Sequence, residues 1–360
     1  MPEFIPGKEL SRQFFFEAVE PILAGSYPDL QVSAARIGPG SDVLGFDTEM
    51  SMDHDWGPRV HLFLRDEDLV EHIRPVGSAM RSALPTEFLG FPTFHAEHED
   101  GTTFMAAGRE GRPLVEITTF DRFLEEVLGF VPGPSPTPKQ WLSVPSQSWL
   151  STQAGAIFRD DLGIQARRAG FDYYPRGVWL YLLASQWSRV GEEEHLVARA
   201  GYVGDELGAR LIASRLVRDL MRISFLMARQ FAPYPKWFGS AFRRLPIARE
   251  LGHLLEAVLA AKGWQNRQSA LSQAFECAAR EHNRLGLTEP IPEACGTFFG
   301  RPFQVIELTG GIAAKLLAQI EDPEVAEIAK RRPIGAIDTF SDSTDLLCDL
   351  TRRSAVENLY

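Results

Sequence analysis

Between Arg59 and Arg65 the chain alternates, with Val60, Leu62 and Leu64 on one side and His61 and Phe63 on the other. That period of two predicts a strand. Immediately after it, Leu69, Ile73, Val76, Met80 and Leu84 recur at steps of four, three, four and four, which predicts an amphipathic helix opening at Asp66. Upstream, Ser11 is a plausible N-cap for a helix running to about Leu23, with Pro21 inside it, and Gln31 to Gly38 reads as a short strand. Downstream, Phe91 to Ala96 and Thr102 to Ala107 read as strands around the acidic turn Glu97 to Gly101. Pro113 to Thr119 reads as another strand, placing Leu114, Glu116 and Thr118 on one face. Beyond residue 140 the pattern turns helical, with helices expected at about 178–199, 205–231, 248–262, 266–285 and 310–320. One more opens at Asp322-Pro323, with Asp as N-cap and Pro in the first turn. In the helix from Asp205 to Phe231 the expected apolar face includes Leu207, Leu211, Leu220, Met221 and Phe225, and Arg215, Arg218 and Arg222 form a basic stripe.

Pro132, Pro134, Pro136 and Pro138 make a stiff connector, so one boundary is expected there. The sequence then divides into an α/β domain with a small mixed sheet at 1–139 and an α-helical domain at 140–360. No repeat or heptad pattern interrupts this division.

Composition narrows the setting. The 360 residues are enough for two domains, and 44% apolar with 24% charged residues is ordinary for a globular chain. Cys277, Cys295 and Cys348 are odd in number and widely spaced, which gives neither a disulfide framework nor a metal pattern; a reducing cytoplasm is expected. The first ten residues do not read as a signal peptide, and no uncharged apolar run is long enough to span a membrane. The net charge of −11 is uneven: residues 1–139 hold 11 Lys/Arg against 23 Asp/Glu, whereas the remainder holds 26 against 25. An acidic first half repels a polyanion such as RNA and draws in a cation.

The chemistry is concentrated at Gly40-Ser41 and, after an eleven-residue spacer, Asp53-His54-Asp55. On a strand, Asp53 and Asp55 would project from one face. Adjacent carboxylates repel unless a cation sits between them, and Mg²⁺ typically takes one or two carboxylates together with substrate phosphates. The Gly-Ser turn offers backbone N–H groups and a hydroxyl to phosphate oxygens. Together these are the parts needed for phosphoryl or nucleotidyl transfer.

This stretch resembles the signature of the polymerase-β-like nucleotidyltransferase superfamily: Gly-Ser, a spacer of about ten residues, then Asp-x-Asp on a strand. The wider context resembles an uncharacterised bacterial family within it that carries Gly-Ser-x-x-Leu-Gly-x-Asp, here Gly40 to Asp47, followed by Asp-His-Asp-Trp-Gly, here Asp53 to Gly57. His54 departs from the superfamily, where the intervening residue is usually apolar. The resemblance implies a nucleotidyltransferase domain joined to a helical partner domain, moving a nucleoside monophosphate from a nucleoside triphosphate to an acceptor hydroxyl. It implies Mg²⁺ or Mn²⁺ on Asp53 and Asp55, and a third carboxylate from a later strand, for which Glu116 is the candidate and Asp100 and Asp121 the alternatives. Gly40 and Ser41 would hold phosphates. Arg218 and Lys236, the latter in Pro233-Tyr234-Pro235-Lys236-Trp237, would face the triphosphate. ATP is the expected nucleotide. A small-molecule acceptor, favoured if cationic, is expected ahead of RNA or protein, and a catalytically silent nucleotide-binding chain is the remaining alternative. Trp56 is expected to pack beside the site, His72 to face solvent, and His95 with His98 to lack a third metal ligand. Asp338, Asp342 and Asp345 are read as helix caps or as an acceptor-binding edge.

Overall fold

The computed structural model describes residues 2–97, 99, 103–106, 108–133 and 136–360, apart from the side chains of Asp53 and Thr103. The chain forms two compact units. The first comprises residues 1–135 and 148–172, the second 136–147 and 173–360.

The first unit is organised on a four-stranded mixed sheet: β1 Ser33–Arg36, β2 Val60–Leu64, β3 Val115–Thr119 and β4 Ala156–Asp160, in the order β3-β2-β1-β4. β1 runs antiparallel to β2 and β4, and β2 runs parallel to β3. The alternation read in β2 orients it. Val60, Leu62 and Leu64 pack with Phe14, Phe15, Val19, Leu69, Val76 and Met80 in one core. His61 and Phe63 turn to the other face, where both lie against Phe123. Helix α1 (Gly7–Phe14) and helix α2 (Asp66–Ala83) supply the first layer, and helix α3 (Phe120–Leu128) supplies the second. Smaller sheets follow α2, one of them formed by Phe94–Glu97, Thr103–Ala106 and Arg112–Pro113.

Two expectations are corrected here. Ser11 is no cap: α1 begins at Gly7, and the buried Ser11 hydroxyl accepts the Arg59 N–H at 3.1 Å. The chain then widens into a π turn at Phe15–Val19 before the helical segment Glu20–Ser26. The wider turn accommodates Pro21, which has no N–H to donate. Secondly, the single boundary at residue 139 does not describe the chain. After a short passage through the second unit it returns, and β4 completes the first unit's sheet beside β1. A polar-flanked strand of Ala156-Ile157-Phe158-Arg159-Asp160 carries no period strong enough to stand out in a helical half.

The second unit is mainly helical, with a small two-stranded sheet. Its long helices are α4 Arg176–Glu193, α5 Glu206–Met227 and, after the short helix α6 (Pro235–Phe242), α7 Trp264–Arg284. Asp322 caps its helix as expected, accepting the N–H groups of Glu324 and Val325. The buried face of α5 includes Leu220 and Phe225 as expected and departs from expectation nearer its start. Ala209, Ala213, Leu216, Leu220 and Ile223 are buried, while Leu207 and Leu211 are 72% and 60% exposed. Small alanines sit where helices approach closely, and the larger leucines of the first turns remain outside. No described helix is long and apolar enough to cross a membrane.

Candidate active site

The Gly-Ser turn is built around a buried ion pair. Arg36, at the end of β1, donates from Nε to Asp42 Oδ2 at 2.6 Å and from Nη2 to Asp42 Oδ1 at 2.9 Å, and both side chains are 1% exposed. The same guanidinium donates to the carbonyls of Ile37 and Pro39. Gly40 lies inside this clasp at φ 144°, and a Cβ there would stand 2.3 Å from Asp42 Oδ1 and 2.6 Å from Arg36 Nη2. Only glycine fits. Ser41 opens one short helical turn that ends at Gly45.

The two halves of the motif are joined by Asp47. Its Oδ2 accepts the Gly7 N–H at 2.6 Å and the Trp56 Nε1–H at 3.1 Å. Trp56 is buried and packs on Phe4 and Phe91, beside the site as expected. The Asp47 carboxylate thus ties the Gly-Ser segment to the Trp56 side chain and to the start of α1.

Asp53 and Asp55 do not lie on a strand, which corrects the geometry expected for them. Asp53 closes a 3-10 turn, Glu49–Asp53, and Asp55 sits in the left-handed region at φ 49°. β2 starts only at Val60. Gly57, at φ 138°, and Pro58, which cannot donate to a ladder, hold the strand off until then. His54 and Asp55 are exposed, and the Asp53 side chain lies outside the described residues. The Asp55 carbonyl accepts Arg59 Nη1–H at 2.8 Å.

Glu116 is placed by register. It stands directly opposite His61 across the β2–β3 ladder, with His61 Nε2 3.4 Å from Glu116 Oε2. The hydrogen bond from His61, followed by the charges of Arg59 and Arg36, holds the Glu116 carboxyl below its usual range despite partial burial. Burial pushes His61 down, so it is neutral and donates through Nε2. Burial and the nearby Arg36 bring Arg59 down to about 10, against the opposing fields of Asp42, Asp55 and Glu116. The structure therefore brings Gly40, Asp42, Asp55 and Glu116 into one electrostatic neighbourhood around Arg36 and Arg59. Sequence reading missed Arg36, Arg59 and His61. Their only signal was His61 on the less apolar side of β2, and its partner is named by a register the sequence does not print.

The alternatives fare differently. Asp121 forms an ion pair with Arg167. Asp100 and His98 lie outside the described residues. His72 is tethered by Nδ1 to the Asp68 carbonyl at 3.1 Å and meets the Tyr27 ring, rather than simply facing solvent. Among the described residues no group of three His, Cys, Asp or Glu side chains is assembled to hold a metal ion.

Arg218 and Lys236 belong to the second unit. Arg218 Nη1 is held by both oxygens of Asp342, at 2.9 and 2.7 Å. Lys236 is exposed, its Nζ 5.2 Å from the Trp237 ring centroid. Arg215 pairs with Glu193, and Arg222 lines a cavity of about 290 Å³ within this unit. Asp338 and Asp342 also line it. Asp338 does not cap its own helix, which has no side-chain cap; it accepts the Ser146 N–H and hydroxyl at 3.2 and 2.7 Å. That cavity was not foreseen from the sequence, because its walls come from segments up to two hundred residues apart.

Residues 141–238 match the model of a family described as a domain of unknown function, DUF4037. Every residue lining the cavity falls within that span except Ala336, Asp338, Thr339 and Asp342. No curated protein matches the chain. Among solved structures, a nucleotidyltransferase-like protein from Exiguobacterium sibiricum 255-15 is similar at 13% identity over 89% of this chain and 91% of that chain, with a TM-score of 0.30.

Proposed function

We propose that the first unit is a Mg²⁺-dependent nucleotidyltransferase that moves a nucleoside monophosphate, AMP first among them, to a hydroxyl of a small-molecule acceptor. The observation that carries this reading is Glu116. It is an ionised carboxylate in mid-strand, on the neighbour of the strand that follows Asp-His-Asp-Trp-Gly, held there by His61 and Arg59.

The donor set suits the metal. Asp53, Asp55 and Glu116 offer hard oxygen ligands, the free cysteines all lie in the other unit, and Mg²⁺ needs only one or two carboxylates beside substrate phosphates. When bound, Mg²⁺ supplies positive charge to the triphosphate and orients its α-phosphate. The Gly40-Ser41 turn, locked by Arg36 and Asp42, presents backbone and hydroxyl donors for phosphate oxygens. Glu116 stays charged at neutral pH and is therefore available to draw the proton from the acceptor hydroxyl. Arg59 fixes the Asp55 backbone and keeps that loop in place. The acidic balance of residues 1–139 supports a cationic acceptor over RNA.

The test is pyrophosphate release from each nucleoside triphosphate with Mg²⁺, using small-molecule and RNA fractions of a cell extract as acceptors. The expected result is release with the small-molecule fraction that falls about 100-fold or more in Glu116→Gln and in Asp53→Ala/Asp55→Ala. Unchanged release in those variants, or metal-dependent nucleotide binding with no release in any fraction, sinks the proposal.

A further inference from the structure

The second unit holds a cavity of about 290 Å³ with unmet polar groups on an aromatic wall. We propose that it binds a small organic carboxylate with a flat apolar body and one hydrogen-bond donor. This inference is independent of the nucleotidyltransferase reading, since every residue it uses lies in the second unit.

The apolar part of the ligand is set by the walls. Phe225 stacks on Phe238 with centroids 5.3 Å apart, and Phe231 meets Tyr174 edge-on at 5.0 Å. Flat rings pack well against such faces. The donor is set by Gln186, which is 2% exposed. Its amide nitrogen reaches Thr339 Oγ1 at 3.4 Å, while its Oε1 has no partner among the described residues. A buried acceptor left without a donor costs about 1–3 kcal/mol, so a ligand N–H or O–H is favoured there.

The charge is set by the arginines. Arg218 Nη1 is committed to Asp342, and its buried Nε has no partner among the described residues. Arg222 lines the same cavity without a hydrogen-bond or ion-pair partner among the described residues; it feels Asp219 and Asp342 only at longer range. Asp342 is taken up by Arg218 and Asp338 already accepts from Ser146, which leaves the Arg222 guanidinium without a direct anionic partner among the described residues. It matches a carboxylate in bidentate geometry, and a second negative charge on the ligand would add repulsion from Asp338 and Asp342.

The full-length chain is titrated with 4-hydroxybenzoate and with indole-3-carboxylate, followed by calorimetry and ligand-observed NMR. Phenol and phenyl phosphate serve as the neutral and dianionic comparisons. The expected result is saturable binding of a carboxylate probe, about tenfold tighter than either comparison, weakened about tenfold or more in Arg222→Gln and measurably in Gln186→Leu. Leu182→Trp, which fills the cavity, should abolish it, and thermal melts establish that each variant is folded. Leu182→Trp keeps the test decisive if Arg222→Gln does not fold. No saturable binding of either carboxylate, equal binding in a folded Arg222→Gln or Leu182→Trp, or tighter binding of phenyl phosphate overturns the inference.

Discussion

Arg36 donates four hydrogen bonds from a position that solvent does not reach, two of them to Asp42. Removing one member of such a pair strands the other charge in the core. Arg36→Met is therefore expected to cost about 3–5 kcal/mol, read as a lower urea midpoint, and Arg36→Met/Asp42→Leu to recover much of it. His61 acts on Glu116 rather than on a ligand. His61→Phe should raise the Glu116 pKa, visible in a carbon-13 carboxyl titration; an unmoved Glu116 would mean that Arg59 and Arg36 alone hold it down. Asp55 carries a different liability. A non-glycine residue at φ 49° bears about 1 kcal/mol of backbone strain, so Asp55→Gly should stabilise the chain by roughly that amount while lowering pyrophosphate release. A gain in stability without loss of release would remove Asp55 from the proposed chemistry. At this scale the tight turn at Gly40 was legible, because a local motif carries it. Arg36, Arg59 and His61 were not, because their roles come from partners on other strands.

Elements with a strong period were the readable ones. β2 buries Val60, Leu62 and Leu64, and α2 buries Leu69, Val76 and Met80 with Ile73 partly covered, since each meets the core along one face. The strand expected to carry Asp53 and Asp55 is displaced by Gly57-Pro58, a break of register visible in the sequence, and begins only at Val60. The junction after α4 illustrates a second limit. The third residue of Glu192-Glu193-Glu194 is buried and accepts three backbone N–H groups, from Ile306, Glu307 and Leu308. A run of charge in sequence thus hides an internal anchor. Next to it, burial raises Glu307 to about 7, with Glu194 adding to the shift and Lys315 and two backbone N–H groups opposing it. The unfolded carboxyl titrates near 4.5, so between these values the folded state holds the extra proton. Stability then falls as pH rises through this window, by on the order of 3 kcal/mol at most. Chemical denaturation at pH 5 and pH 8 should show a more stable protein at the lower pH from this group, and Glu307→Gln should flatten the difference. An unaltered pH dependence in that variant would place its origin elsewhere.

For the whole molecule, the notable feature is the excursion of residues 136–147 into the second unit and the return at 148–172. The proline run marked the first crossing in the sequence. The return was not legible, because β4 is short and its burial depends on β1, more than a hundred residues earlier. A chain ending at residue 139 lacks β4 and leaves β1 as an unpaired edge beside a buried core. Such a fragment should be poorly soluble and should unfold without a cooperative transition, checked by sedimentation and circular dichroism. A soluble, cooperatively folding fragment would show β4 to be dispensable.

The same return has a consequence for biosynthesis. A ribosome making this protein releases β1, β2 and β3 well before it reaches the codons for residues 156–160. Throughout that interval the nascent chain carries an open template for strand addition, at the stage when neighbouring polysomes and chaperones compete for it. Slowing translation just before that point lengthens the exposure, and speeding it lets the sheet seal itself.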